Sequence, residues 1–145
     1  MTSKFDRIFL IDDNEMSNFF HEFLLKKIEC ANKIQSFRNG KIALEYIRNN
    51  PSEENSNPDL IFLDINMPVM NGWEFLEKYK ALGLDKKGKA ILIILSSSQL
   101  PKDLEKAKCS DLVSEIITKP LNQEILLQLI EKYATKPEFE IIQQS

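Results

Sequence analysis

The stretch Asp59-Leu60-Ile61-Phe62-Leu63-Asp64-Ile65-Asn66-Met67-Pro68 decides how the chain folds. Four apolar residues follow one another without alternation, stop at a carboxylate, and are succeeded by a proline. Such a run suits a strand covered on both faces, as in a parallel sheet, because neither side of it is left for water. Two other runs have the same form: Ile8 to Ile11 ends at the pair Asp12-Asp13, and Ala90 to Leu95 ends at Ser96. The shorter apolar pair Ile116-Ile117 leads through Thr118 to Lys119.

Working outward, these runs alternate with segments whose apolar residues recur every three or four positions, the signature of repeated strand-helix units. Strands are expected near 7–12, 33–37, 59–64, 90–96 and 114–118. Helices are expected near 15–29, 41–49, 73–82, 101–108 and 123–134. The first helix should bury Met16, Phe19, Phe20, Phe23 and Leu24, with Asn14 as its cap. Pro101 suits a first helical turn, where its missing N–H would be unpaired anyway, and Asn122 can cap the last helix. Segments 51–58 and 83–89 read as exposed loops, and 135–145 as a tail carrying Phe139, Ile141 and Ile142.

At 145 residues, 43% hydrophobic and 28% charged, the chain has the size and composition of one soluble domain. A net charge of -3, with lysines interleaved among glutamates, offers no field for nucleic acid. No apolar run approaches the roughly 20 residues of a membrane span, and residues 1–7 lack the core of a signal peptide, so a cytoplasmic location is expected. Cys30 and Cys109 match no paired metal or redox spacing and read as reduced packing residues.

In an open parallel sheet, ligands gather beyond the carboxyl ends of the strands where the winding reverses. The first and third strands meet there, which brings Asp12, Asp13 and Asp64 together. Carboxylates 4 Å apart repel by about 4 kcal/mol per pair at an effective dielectric near 20, and a divalent cation relieves that repulsion. Oxygen-only ligands favour a hard ion, and magnesium uses one or two carboxylates with a phosphate oxygen. Acids, a hydroxyl and an amine at neighbouring strand ends are the groups that a magnesium-assisted transfer of phosphate onto a carboxylate requires.

The segments IDDN at 11–14, LDINMPVMNG at 63–72, LSSS at 95–98 and TKPL at 118–121 together closely resemble the receiver domain of two-component response regulators. The resemblance runs from Phe5 to Tyr133 and implies a single-domain, chemotaxis-regulator-like protein. Its fold would be α/β, a five-stranded parallel sheet of flavodoxin-like order 2-1-3-4-5 with helices on both faces, over residues 5–134. Asp64 would be the phosphoacceptor for a sensor histidine kinase or histidine phosphotransfer protein. Asp13, Asp64 and the Asn66 carbonyl would ligate Mg2+, with Asp12 holding a coordinated water. Lys119 would pair with the phosphoryl oxygens, Ser96 would hydrogen-bond the phosphorylated form, and the Lys119-Pro120 bond would be cis. Pro68 and Gly72 would shape the loop after Asp64, Gly72 by adopting a backbone geometry closed to other residues. The surface of the fourth helix, fifth strand and fifth helix would read the state out to an unidentified protein target, in a monomer or weak dimer.

Two positions depart from the family pattern. Ile116 stands three residues before the lysine, where Phe or Tyr is usual, and Ser96 replaces the commoner threonine. Other residues invite blander readings. His21 is read as a partly exposed helix histidine rather than a phosphohistidine relay, and Trp73, Phe75, Leu76 and Tyr79 as core. Lys102, Lys106 and Lys108, alternating with Asp103 and Glu105, are read as a solvated helix face. A phosphatase of the haloacid dehalogenase type also uses a strand-end Asp and magnesium, but it generally carries a second Asp two residues on, where this chain has Asn66. An amide cannot shuttle protons, so turnover of an external substrate is not expected. A pseudo-receiver that binds without phosphorylation is disfavoured by the complete set of acid, hydroxyl and lysine.

Overall fold

A computed structural model describes residues 5–49, 58–84, 90–97 and 100–133. The expectations for most of the loops at 51–58 and 83–89, for Ser98 and for the tail's apolar triplet lie outside the described residues. The elements run β1 (Phe5–Ile11), α1 (Glu15–Ile28), β2 (Ala31–Phe37), α2 (Gly40–Arg48), β3 (Leu60–Asp64), α3 (Gly72–Ala81), β4 (Ile91–Ser96), α4 (Pro101–Cys109), β5 (Val113–Thr118) and α5 (Gln123–Tyr133). All strand pairings are parallel, and the order is β2-β1-β3-β4-β5, as expected. Element boundaries fall within two residues of the sequence reading. No described helix is long and apolar enough to cross a membrane.

The unalternating runs become the middle of the sheet. Every residue of β3 is buried, and β1 and β4 are nearly so, because helices cover both faces. On one face Phe9, Ile61, Leu63 and Ile94 pack with Ala43, Leu44, Phe75 and Tyr79 from α2 and α3. On the other Ile8, Leu10, Phe62 and Ile93 pack with Leu25 from α1 and with Leu126 and Leu129 from α5. The outer strands β2 and β5 are made of exposed and half-buried positions, apart from the buried Phe37.

Several readings of side-chain burial are corrected. In α1 only Leu24 of the five expected core residues is buried. Met16, Phe19, Phe20 and Phe23 are 75%, 70%, 42% and 57% exposed. The helix is turned so that Asn18, His21, Leu24 and Leu25 face inward. Helical spacing identifies a common face but does not say which face meets the sheet, and here two polar residues take the inner one. His21 is 1% exposed, not partly exposed. Asp103 is buried and accepts a hydrogen bond from the Trp73 indole (Nε1···Oδ1 3.2 Å), so the charged face of α4 is not wholly solvated. Cys30 is buried, but Cys109 is exposed, its thiol 3.7 Å from the Glu105 carboxylate.

Candidate functional site

The carboxyl ends of β1, β3, β4 and β5 deliver the candidate residues to one cleft. Asp12 and Asp13 follow β1, Asp64 and Ser96 are the last residues of β3 and β4, and Lys119 follows β5. One carboxylate oxygen from each of Asp12, Asp13 and Asp64 lies within 4.8 Å of the others. Asp12 and Asp64 are buried, whereas Asp13 is exposed at the mouth.

Each acid is held by its own turn. The Asp12 main chain donates to the Phe37 carbonyl (3.0 Å), and its carboxylate accepts the Asn14 N–H (3.0 Å). Asn14 caps α1 by accepting from the Ser17 N–H, and the Asn18 amide donates to the Asp12 carbonyl (2.9 Å). Asp64 accepts the N–H of the exposed Asn66 (3.2 Å). The Lys119 amine bridges the acids at 3.0 Å from Asp12 and 3.9 Å from Asp64. Its backbone N–H donates to the Ser96 carbonyl (2.8 Å), which ties the ends of β4 and β5 together. Ser96 is almost wholly buried at the cleft floor.

Burial and the neighbouring Asp12 carboxylate push the Asp64 carboxyl up to about 7, while Lys119 and the Asn66 N–H pull the other way. One lysine therefore does not balance the paired acids. Three clustered oxygens with an uncompensated charge are the donor set of a hard divalent cation, and these residues fit one.

The loop between Asp64 and α3 folds back on the strand end. Met67 N–H and Gly72 N–H both donate to the Ile65 carbonyl, at 3.2 and 2.8 Å. Gly72 is required for a different reason from the one expected. Its backbone is not in the left-handed region, which Val69 occupies instead with φ 70°. A Cβ on Gly72 would lie 2.8 Å from the Asp64 carbonyl oxygen and 2.8 Å from the Ile65 Cα. The peptide between Lys119 and Pro120 is cis, as the resemblance implies.

Sequence reasoning brought together all six site positions but missed two residues behind them. Asn18 and His21 bond the Asp12 carbonyl and the Leu121 N–H, respectively. The available signal was their shared spacing with Asn14 along α1, which the neighbouring aromatics obscured.

Comparisons with known proteins agree with this geometry. The crystal structure of a two-component response regulator from Cytophaga hutchinsonii is similar at 35% identity and a TM-score of 0.81, over 90% of this chain and 97% of that one. The protein-glutamate methylesterase/protein-glutamine glutaminase of Desulfotalea psychrophila is 42% identical over 63% of this chain, which spans only 23% of that protein's length. Two-component response regulator ORR41 of Oryza sativa subsp. japonica is 26% identical over 92% of this chain and 98% of its own length. Residues 8–131 match the response regulator receiver domain, and the chain belongs to that family.

Proposed function

We propose that the protein is a phosphorylation-controlled signalling module whose Asp64 accepts a phosphoryl group from a phosphohistidine on a sensor histidine kinase or histidine phosphotransfer protein. It then signals by phosphorylation-dependent protein binding or passes the group onward in a relay. The observation that carries this reading is the convergence of the Asp12, Asp13 and Asp64 oxygens around Lys119. We assign the receiver unit to residues 5–134, with 135–145 as a tail.

In the transfer an Asp64 carboxylate oxygen forms the new P–O bond as the P–N bond to imidazole breaks, and the released electron pair stays on the ring nitrogen. Such a loose displacement depends chiefly on positioning and charge neutralisation. Lys119, whose amine is 3.0 Å from Asp12 and 3.9 Å from Asp64, would meet a phosphoryl oxygen on Asp64, and Ser96 would donate a charge-assisted hydrogen bond to another. Asp13, Asp64 and the Asn66 carbonyl would hold Mg2+, with a water on Asp12. When bound, the cation neutralises the carboxylates and the phosphoryl oxygens. Two residues after Asp64 stands Asn66, an amide that cannot shuttle protons as the second acid of a phosphatase would, so a stoichiometric adduct without turnover of an external substrate is expected.

Acetyl phosphate with magnesium tests the reading. One acid-stable, hydroxylamine-labile phosphoryl group per chain is expected; continuous turnover, or no adduct, would overturn it. Magnesium alone should also raise the melting temperature, since binding only the native cluster adds about 2.7 kcal/mol at a hundredfold excess over Kd. Asp13→Asn should weaken that rise, and thermal melts of both proteins across a magnesium titration check it.

The exposed Met16, Phe19, Phe20 and Phe23 begin three residues after Asp13 in sequence and lie along one face of α1. A protein donor must lower its phosphohistidine into the cleft and so covers its rim, where this stripe supplies apolar area. Phe19→Ser with Phe23→Ser should slow transfer from a phosphorylated protein donor by about tenfold or more, while labelling by acetyl phosphate stays within about twofold. Parallel time courses with the two donors measure the difference.

A further inference from the structure

His21 lies in α1 and is among the most buried polar side chains described. Its Nε2 accepts a hydrogen bond from the Leu121 N–H (3.2 Å), across a separation of 100 residues in sequence. Burial pushes the imidazole down to about 4, against the pull of the Asp12 carboxylate, so at neutral pH the ring is uncharged and Nε2 keeps its lone pair. Packing alone does not explain a histidine here, since leucine would fill a similar volume without a polar group to satisfy.

The explanation lies in the turn it touches. Pro120 has no N–H, so the donors on either side of it are those of Lys119 and Leu121. The first is given to the Ser96 carbonyl and the second to His21. Leu121 is itself fully buried, so without the imidazole its N–H would lose its partner out of reach of water. One turn earlier in the same helix, Asn18 holds the Asp12 carbonyl. The inner face of α1 thus grips the main chain beneath both members of the Asp12–Lys119 pair.

We propose that His21 is a positioning residue for Lys119: its Nε2, by holding the Leu121 N–H, fixes the turn that aims the Lys119 amine at Asp64. The proposal rests on Asp64 being the phosphoacceptor and Lys119 its cation. A displacement of about 1 Å in a group that must meet a transition state can cost about a hundredfold in rate, so losing the anchor should be visible in the chemistry.

The test measures the rate of Asp64 labelling by acetyl phosphate and magnesium in the full chain, for variants at His21 in the presence and absence of Lys119. His21→Leu should slow labelling by about tenfold or more, and His21→Asn, whose amide is too short to reach, should slow it similarly. His21→Gln places an amide oxygen near the Nε2 position and should keep the rate within about threefold of wild type. In a Lys119→Ala background, His21→Asn should add less than about a twofold effect, because the group it positions is gone. Wild-type rates in both His21→Leu and His21→Asn would overturn the proposal. So would an equal loss from His21→Asn with and without Lys119, or a failure of His21→Gln to restore what His21→Asn loses. If His21→Leu does not fold, the Asn and Gln variants carry the comparison. A wild-type chain that takes no label would instead overturn the phosphoacceptor reading, and the proposal with it.

Discussion

Asp64→Asn is expected to abolish labelling by acetyl phosphate and, in the metal-free protein at about pH 8, to make the fold more stable than wild type. The two effects have one origin. The carboxyl proposed as nucleophile is buried beside Asp12, and its folded value is about 7 against an ordinary 3.8. Between those values the native protein holds a proton that the unfolded chain has released, so this group makes stability fall as pH rises through the window. Asparagine keeps the shape and carries no charge. The gain should be on the order of 1–2 kcal/mol above pH 7, after discounting for solvent screening at a partly open site. It should shrink as pH falls toward 4, where both proteins are neutral at this position. Denaturant melts in chelator at the two pH values check the sign, and magnesium should narrow the gap by neutralising the wild-type carboxylate. Equal midpoints at about pH 8, or retained labelling, would contradict the account.

Gly72→Ala should be the most damaging conservative change near the site. The added methyl would stand 2.8 Å from the Asp64 carbonyl oxygen and from the Ile65 Cα, both backbone atoms that no rotamer change can move aside. Either α3 shifts outward or the end of β3 does, and the second displaces the Asp64 carboxylate. A cost of about 2–3 kcal/mol is expected, with a fall in melting temperature of roughly 10 °C and slower labelling. Gly83→Ala is the control. Gly83 has φ 62°, but nothing lies within 4 Å of its would-be Cβ, so only the conformational cost of about 1 kcal/mol should appear. Thermal melts of the pair separate steric from torsional demand, and similar losses in both would remove the steric explanation.

The central strands and the placing of Asp12, Asp64 and Ser96 at their carboxyl ends were legible because burial on both faces leaves unbroken apolar runs whose ends are marked by polar residues, whereas the order 2-1-3-4-5 came from the family resemblance. Side-chain direction was less legible. Met16, Phe19, Phe20 and Phe23 share a helical face that hydropathy assigns to the core, yet Asn18 and His21 hold the inner face through bonds to main-chain groups, the Asp12 carbonyl nearby and the Leu121 N–H 100 residues away. Hydrophobicity registers apolar area but not the demand of a distant N–H for an acceptor. Asp103 eluded the charge pattern for a similar reason, since its partner Trp73 lies in another helix. Ile116 is half-buried, packed against the core beneath α3 and paired with Ile94. With no aromatic ring there to change rotamer, readout through this position has only a branched aliphatic side chain to work with.

The contrast between the covered middle strands and the half-covered outer ones leads to different expected protection on the two sides of the cleft. Asp12, Asp64 and Ser96 sit at the ends of β1, β3 and β4, whose buried amides are expected to exchange most slowly. Lys119 follows β5, a sheet edge that buries less and can fray by itself. Local opening of this edge is therefore expected to carry Lys119 away before the acids, so hydrogen exchange of the β5 amides should outpace that of β1, β3 and β4.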